Sequence, residues 1–313
     1  MEKINIEKHI EYFENLRKMM PEQAHGSYMT VLFFIISGHD ILGVLDRINK
    51  KEMIDWVYTQ QNSEVPNAGF RPNPSTILPE SSKWDYASIA STYSALSILK
   101  ILGDDYSRVS KPEIIQSISY QISQNGCVSS HPGSVENDIR FVYCLCAICY
   151  LLNSWENINK DLIFSFISSC QSYDGSFSIS PGLEGHGGAT YCAVSSLYLL
   201  DKLNKIHKKE ELIEWLVMRQ GTGFSGRPGK AEDTRYGYWI GLSLQILGAE
   251  EFVNKEENIE FYCECQTSFG GFSKFPGYNA PDLTHSYMGL CSIGLLGVKG
   301  VKKIFGPLGI SLE

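Results

Sequence analysis

The stretch from Gly223 to Tyr236, GFSGRPGKAEDTRY, holds the densest set of chemically capable side chains in the sequence. Its basic residues are spaced by glycine and proline, and an apolar segment follows at once, as expected for a turn that runs into a helix. Asp233 is suited to cap the free N–H groups of that helix. Cations above a helix start can clamp an oligophosphate, and a solvated turn without a ligand is the alternative. The side chains concerned are Arg227, Lys230, Asp233, Arg235 and Tyr236.

Composition restricts the classes of partner. The chain has 313 residues with a net charge of −8, which disfavours nucleic acid or an anionic membrane as the main partner and makes a small anionic ligand the better match for a local cationic patch. No apolar run is long enough to span a membrane, and the N-terminal residues do not look like a secretory signal. Nine cysteines scattered through apolar segments indicate reduced thiols and a cytoplasmic location.

A unit of two helices recurs along the chain. Its first helix ends at a glutamine, a turn with glycine and often phenylalanine follows, and a more apolar helix comes after a short loop. Marker glycines of this turn stand about 48 residues apart, a spacing typical of tandem helical units. These glycines are Gly126, Gly175, Gly223 and Gly271.

Two more helices are predicted ahead of the repeats: an amphipathic one within residues 4–20 and a buried, apolar one within residues 27–40. Together with five repeats they make six helical hairpins. Six hairpins are enough to close into an α/α barrel with apolar helices inside and amphipathic helices outside, although helix counting leaves an open superhelix as the alternative. We expect an all-α protein in which residues 1–313 form a single α/α-barrel domain.

Closure of the hairpins would bring the loops before the inner helices to one end, where a pocket could form. A histidine on a helix is more often a packing residue than a ligand. His186, however, is flanked by three glycines, which let the backbone and a ligand approach closely. The side chains expected to converge are Arg140, His186, Arg227, Lys230, Asp233, Arg235, Tyr236 and His285.

Blocks in order along nearly the whole chain resemble the β subunits of protein prenyltransferases, and most closely those of type I geranylgeranyltransferases. The most specific blocks are ILGDDYSRV (101–109), ENDIRFVYC (136–144), LEGHGG (183–188) and GRPGK (226–230). The family is an α/α barrel whose β subunit pairs with a crescent-shaped helical α subunit. It joins an isoprenoid to a cysteine near the C-terminus of small GTPases and similar proteins.

The resemblance implies roles for several residues. His186, Arg227, Lys230 and Tyr236 would bind the isoprenoid diphosphate, and preplaced cations and donors stabilise the negative charge that builds as diphosphate departs. Arg140 matches the family position near the C-terminal carboxylate of the peptide. The alternative for Arg140 is an ion pair with Glu136 at helical i,i+4 spacing.

Isoprenoid length and magnesium use also follow from the resemblance. Thr30 stands where farnesyl-transferring relatives have a bulky aromatic residue, and Met288 replaces another ring near the pocket floor. The smaller side chains leave room for a twenty-carbon chain, since packed pockets respond to single side-chain volumes. Lys274 matches the lysine that takes over from a magnesium site in type I enzymes, so a magnesium requirement is not expected.

The implied zinc site departs from the family. There, an aspartate and a cysteine two residues apart hold catalytic zinc together with a distant histidine; Asp233 and His285 match, but Arg235 stands at the cysteine position. Three hypotheses follow. Zinc binds through Asp233, His285 and water; the guanidinium itself stabilises the substrate thiolate; or the site is impaired and binds ligands without efficient transfer.

The sequence therefore predicts a catalytic β subunit that transfers geranylgeranyl from geranylgeranyl diphosphate to the cysteine of CaaX motifs, with leucine favoured last. Asp233, Arg235, Tyr236 and His285 are its candidate catalytic residues. A β subunit of a farnesyltransferase or of a Rab-type geranylgeranyltransferase is an alternative. A non-catalytic isoprenoid-binding or scaffold subunit is an alternative of another class, favoured by Arg235.

Overall fold

The computed structural model describes residues 4–19, 26–73 and 86–311, and these residues are mostly helical. The helix predicted within residues 4–20 is confirmed as α1, except that residue 20 lies outside the described residues. The described helices are α1 Ile6–Lys18, α2 Tyr28–Ile41, α3 Lys50–Thr59, α4 Ile89–Leu102, α5 Lys111–Ser119, α6 Ile139–Leu151, α7 Lys160–Ser169, α8 Gly187–Leu199, α9 Lys209–Val217, α10 Thr234–Leu247, α11 Lys255–Cys265 and α12 Leu283–Leu295.

Two short hairpins accompany the helices. In each hairpin, two strands of two residues pair in antiparallel register. The first hairpin joins β1 (Gln61–Asn62) to β2 (Gly69–Phe70), and the second joins β3 (Ile304–Phe305) to β4 (Ile310–Ser311).

The described residues divide into two compact units. One unit comprises residues 4–19, 34–45 and 168–311, and the other comprises residues 26–33, 46–73 and 86–167. In the first unit, α10 packs against α8 and α12, with α9 and α11 also in contact with α10. In the second unit, α4 packs against α6, and the hydroxyls of Tyr93 and Tyr143 lie 3.0 Å apart between them.

Helices of a pair differ in how much of their surface is buried. In α9 only Leu212, Trp215 and Leu216 are buried, so one face of this helix packs inward and the charged remainder faces solvent. In α10, by contrast, buried residues lie on nearly every side of the helix. A helix that is apolar all round must be covered by neighbours, and this places α10 in the interior of its unit.

The repeated glutamine and phenylalanine pair with each other. Gln171 bridges to Phe177, Gln220 to Phe224 and Gln266 to Phe272, each in antiparallel sense. These bridges close the turn that follows each outer helix, and the phenylalanine rings are fully buried.

Hydroxyl groups in the first turn of the next helix secure the buried phenylalanines. The Phe177 N–H donates to Thr190 Oγ1 at 3.0 Å, and the Phe272 N–H donates to Ser286 Oγ at 2.9 Å. The same contact occurs in the second unit, where the Phe70 N–H donates to the hydroxyl of Thr92. In these three repeats the sequence repeat is therefore also a repeat of backbone contacts, because the same buried N–H group is satisfied in the same way.

Glycine is needed in the turn for two reasons. Gly175 has a φ of +85°, which a residue with a side chain rarely adopts, and a Cβ there would lie 2.5 Å from the backbone nitrogen of Leu212 in α9. Gly126 shows the same combination, with a φ of +88° and a Cβ position 2.4 Å from the carbonyl oxygen of Leu162 in α7. The backbone of each turn thus lies directly against the next outer helix.

Two observations bear on the environment of the chain. Within the described residues, none of the helices has the length and apolar character needed to cross a membrane. All nine cysteines are buried, and none of them forms a disulfide bond.

Candidate active site

Helices α8, α10 and α12 of the first unit each begin with a side-chain cap. His186 accepts the Gly188 N–H on its ring Nδ1 at 3.0 Å and begins α8. Asp233 and Asp282 begin α10 and α12 by accepting the N–H groups of Arg235 and His285, each at 3.0 Å. Free N–H groups at a helix start carry partial positive charge, so each of these ends favours an anion.

Backbone hydrogen bonds join the loops before these helices. The Gly187 N–H donates to the carbonyl of Gly226 at 2.9 Å, which ties the start of α8 to the basic turn. The Thr234 N–H donates to the carbonyl of Lys274 at 3.0 Å, which ties the start of α10 to the loop before α12. Consecutive repeats therefore bring the starts of α8, α10 and α12 to one side of the unit.

His186 and Tyr236 form a direct pair. The Tyr236 hydroxyl lies 2.9 Å from Nε2 of His186, and the rings meet edge to face with centroids 5.6 Å apart. Gly226 makes this possible, because a Cβ at that position would lie 2.2 Å from Cζ of Tyr236. Burial raises the pKa of Tyr236. Burial and the nearby cations Arg227 and Arg235 lower the pKa of His186.

Asp233 is the centre of an ionic cluster. Arg235 grips its carboxylate with two hydrogen bonds, from Nε to Oδ1 at 2.9 Å and from Nη2 to Oδ2 at 2.7 Å. Lys274 Nζ lies 4.0 Å from Oδ2. Burial alone would raise the pKa of Asp233, but contacts with His285 and Arg235 outweigh it and hold that pKa well below its usual range. Asp233 is thus a buried, permanently charged anion.

His285 is oriented by a residue that the sequence analysis missed. Its ring Nδ1 contacts Oδ2 of Asp282, and its Nε2 lies 3.5 Å from Oδ1 of Asp233. Burial would lower the pKa of His285, but the two carboxylates outweigh it and raise that pKa. In the described part of the chain, Nε2 is a buried atom without a hydrogen-bond partner. The signal for Asp282 was its place three residues before His285, the spacing of a helix cap.

The two remaining cations of the basic turn differ in their surroundings. Arg227 donates from Nη1 to Glu184 Oε2 at 2.8 Å, an exposed ion pair of the kind that contributes little to stability. Glu184 is a second residue that the sequence analysis missed, although it lies two residues before His186. Lys230 is exposed, so its ammonium group remains hydrated and carries no desolvation penalty.

Trp239 is a third residue of the site without a sequence prediction. Its ring lies 5.4 Å from that of Tyr236, and the guanidinium of Arg235 lies 5.8 Å from its centroid. The i,i+4 spacing of Arg235 and Trp239 on a helix could have indicated this contact.

The other predicted residues have local settings of their own. Met288 lies on α12, about one turn after His285, and is half-buried. In the second unit, the Thr30 hydroxyl lies 3.3 Å from that of Ser94. Arg140 makes the ion pair with Glu136 that the spacing predicted, at 3.2 Å, and also grips the carboxylate of Asp138, the cap of α6.

The side chains at Asp233 do not fit the zinc that the resemblance implies. A catalytic zinc takes three protein ligands, and an arginine supplies none. Here the guanidinium already occupies both oxygens of Asp233, which leaves His285 as the one further donor of the family set. Across residues 4–19, 26–73 and 86–311, no group of three or more His, Cys, Asp or Glu residues is arranged to hold a metal ion.

Cysteines elsewhere do not complete the set. Cys263 and Cys265 end α11 and are buried. Burial raises the pKa of Cys265 and raises that of Cys144 in α6 to about 12. A protonated, enclosed thiol is a packing group, since the thiolate is the form that binds metal.

A family model described as "Prenyltransferase alpha-alpha toroid domain" matches residues 4–310. The chain belongs to the prenyltransferase β subunit family. The α/α fold class expected from the helical repeats is therefore confirmed, as is the recognition of the family from its sequence blocks.

Individual relatives agree with this assignment. The chain is 37% identical to the geranylgeranyl transferase type-1 subunit beta of Arabidopsis thaliana, over 98% of this chain and 90% of that protein. It is 34% identical to the corresponding subunit of Dictyostelium discoideum, over 98% and 95%. Candida albicans protein geranylgeranyltransferase-I complexed with GGPP has the same fold, with a TM-score of 0.89 and 23% identity over 99% of this chain and 96% of that one.

Proposed function

We propose that this chain is the catalytic β subunit of a type I protein geranylgeranyltransferase. It transfers geranylgeranyl from geranylgeranyl diphosphate to the cysteine of C-terminal CaaX motifs, with leucine favoured last, on small GTPases. Residues 1–313 act as one domain and pair with a helical α subunit. The buried cysteines, none of which forms a disulfide bond, are in keeping with a cytoplasmic enzyme.

The observation that carries this proposal is the pairing of His186 with Tyr236 beside the cations of the first unit. Diphosphate consists of two linked tetrahedral phosphates with several acceptor oxygens, and the Tyr236 hydroxyl can donate to one of them, because His186 accepts the Gly188 N–H on Nδ1 and presents its own N–H on Nε2 to the Tyr236 oxygen. The start of α8 adds partial positive charge. Arg227 and Lys230, on the adjacent turn, add positive charge.

The same groups favour the chemical step. Bond breaking between C1 of the isoprenoid and the diphosphate oxygen leaves charge on the departing group, and fixed cations stabilise that charge. Lys274 supplies a further cation at the position that replaces magnesium in type I enzymes, so we propose a magnesium-independent reaction. Arg140 binds the peptide carboxylate by giving up its exposed ion pair with Glu136.

The length of the isoprenoid that fits is set by small side chains. Thr30 and Met288 leave the isoprenoid pocket room for twenty carbons, in line with the type-1 relatives at 34–37% identity. The shorter farnesyl chain would also enter this pocket but leave part of it unfilled, so it would bind less tightly.

Transfer assays test the proposal. The chain is co-expressed with its α subunit and supplied with tritiated geranylgeranyl or farnesyl diphosphate and a peptide ending in CaaL. We expect label on the peptide cysteine, faster with geranylgeranyl and unchanged when magnesium is omitted. Preference for farnesyl would indicate a farnesyltransferase, and transfer only with an escort protein would indicate the Rab type.

A non-catalytic isoprenoid-binding subunit is the second candidate, favoured by the ion pair between Arg235 and Asp233 at the position of the catalytic ligands. Equilibrium binding of geranylgeranyl diphosphate separates the two. Tight binding without transfer to any cysteine peptide would establish the second candidate.

A further inference from the structure

The ion pair of Arg235 and Asp233 has the geometry of a fixed cationic centre. Asp233 is 3% exposed, and Arg235 holds it through a two-pronged contact plus the backbone N–H of Arg235 itself. Two parallel hydrogen bonds fix the plane of a guanidinium, unlike the single contacts of a lysine. The rings of Tyr236 and Trp239 lie 5.7 and 5.8 Å from the guanidinium carbon and restrict it further.

One edge of this guanidinium is open. The hydrogen bonds to Asp233 use Nε and Nη2, and Nη1 has no partner among the residues that the structure describes. The side chain is 28% exposed, so this edge can be reached from solvent. A planar cation with a free pair of N–H groups is a ready partner for an anion.

A similar contact elsewhere in the chain, between Arg140 and Asp138, shows which features of the Arg235 site go beyond helix capping. Arg140 binds the carboxylate of Asp138, the cap of α6, through Nε and Nη2. The two-pronged contact can therefore arise from helix capping alone. Arg140, however, also contacts Glu136, so two acids surround this one cation and leave an excess of negative charge. Its side chain is 56% exposed. Around Asp233, by contrast, the two acids Asp233 and Asp282 are matched by two cations, Arg235 and Lys274, so Arg235 does not lie in an excess of negative charge.

We infer that the guanidinium of Arg235 takes the place of the catalytic zinc and binds the acceptor cysteine as its thiolate. The inference rests on the proposed function and deepens it, because it assigns the group that receives the sulfur. An adjacent cation stabilises a thiolate, and Asp233 keeps this cation in position through Nε and Nη2 while the N–H groups of Nη1 stay available to an anion.

The step balances without a metal. The thiol releases its proton to water as the thiolate pairs with Arg235. The sulfur then attacks C1 of geranylgeranyl diphosphate, the S–C1 bond forms, and the bond from C1 to the diphosphate oxygen breaks with its electron pair on diphosphate. No oxidant or reductant is needed, because the substitution at C1 is not a redox reaction.

Metal content tests the inference apart from activity. The heterodimer is dialysed against zinc-containing buffer, then against metal-free buffer, and its zinc is measured by mass spectrometry. We expect wild type to retain no stoichiometric zinc. Arg235→Cys restores the Asp, Cys and His set and should retain about one zinc per heterodimer.

Two matched variants control this result. Arg235→Ser differs from Arg235→Cys by one atom and should retain no zinc. The double variant Arg235→Cys with His285→Ala removes one ligand from the restored set and should retain less than Arg235→Cys. A circular dichroism spectrum equal to that of wild type shows that each variant is folded.

Transfer in the presence of a chelator completes the test. Wild type should keep its rate, Arg235→Lys should keep part of it through the retained charge, and Arg235→Gln should lose about 100-fold in kcat. Stoichiometric zinc in wild type, or a rate lost to chelator and restored by zinc, would overturn the inference while leaving the proposed function intact. Geranylgeranyl diphosphate binding without transfer in the metal-free protein would overturn it too. Failure to bind the diphosphate at all is failure of the proposed function.

Discussion

In Tyr236, the hydroxyl group and the ring have different roles in the site. The hydroxyl of Tyr236 is the group that meets His186, while the ring of Tyr236 packs against Trp239. A substitution that removes the oxygen and keeps the ring therefore isolates the donor from the packing.

Tyr236→Phe should lower kcat for geranylgeranyl transfer by about 100-fold, the usual cost of losing one donor to developing charge. The stability of the chain should change little, because the ring keeps its contacts. Tyr198→Phe, at the exposed end of α8, removes a hydroxyl without touching the site and serves as the control. Equal kcat values for wild type and Tyr236→Phe would contradict the proposed role.

His9 offers a test of stability away from the site. Its ring is buried, stacks on Phe272 at 4.4 Å and accepts the Gly271 N–H on Nδ1 at 3.0 Å. Burial lowers the pKa of His9 from 6.5 to about 4. In the folded chain the imidazole therefore stays neutral at pH values where the unfolded chain binds a proton.

The free energy of unfolding should fall as the pH drops from 6.5 towards 4, because only the unfolded state gains a proton in this window. Between pH 7 and pH 5 the contribution of His9 amounts to about 2 kcal/mol. Urea denaturation at the two pH values measures it. His9→Asn keeps an acceptor for Gly271 but cannot titrate, so the pH dependence should shrink by that amount. An unchanged dependence would show that His9 is not the group responsible.

At the scale of elements, the pairs of helices were predictable because each pair repeats the same periodic pattern of apolar residues and ends at the same glycine turn. Among the helix starts of the site, that of α10 was predicted together with its cap, Asp233. What could not be predicted is which acid meets which base across the loops, since Glu184 meets Arg227 and Asp233 meets His285 through contacts between loops distant in sequence.

The closeness of turn and helix can be tested at Gly175. Gly175→Ala adds a Cβ that meets the backbone of α9 and also strains a positive φ. Gly182→Ala is a matched control, because Gly182 has a φ of +80° but open space around its Cβ position. We expect a loss of about 1 kcal/mol for Gly182→Ala and at least about 2 kcal/mol more for Gly175→Ala. Equal urea midpoints for the two variants would show that the turn has room to move.

At the scale of the whole molecule, the sequence blocks indicated the family and the α/α fold, and both are confirmed by the match over residues 4–310. The choice of isoprenoid depends on the volume of a few side chains, which neither repeat spacing nor composition reports. The proposed twenty-carbon selectivity is therefore open to a direct test by substitution.

Thr30→Trp should shift selectivity towards farnesyl diphosphate by about tenfold or more in the ratio of kcat/KM values, because an added ring shortens the pocket. Competition between the two labelled diphosphates measures the ratio. Thr59→Trp adds the same ring at an exposed position at the end of α3 and should leave the ratio as in wild type. An unaltered ratio in Thr30→Trp would remove Thr30 from the pocket.

The enclosure of the nine thiols has a consequence for the proposed transfer from an alkylating lipid. Sulfur within reach of the activated isoprenoid would compete with the acceptor protein and label the catalyst itself. Since these sulfurs are enclosed, and burial holds at least those of Cys144, Cys265 and Cys291 in the protonated form, the chain is protected from its own reagent. Under the proposed function, we therefore expect the lipid to end on the acceptor and the chain itself to stay unmodified.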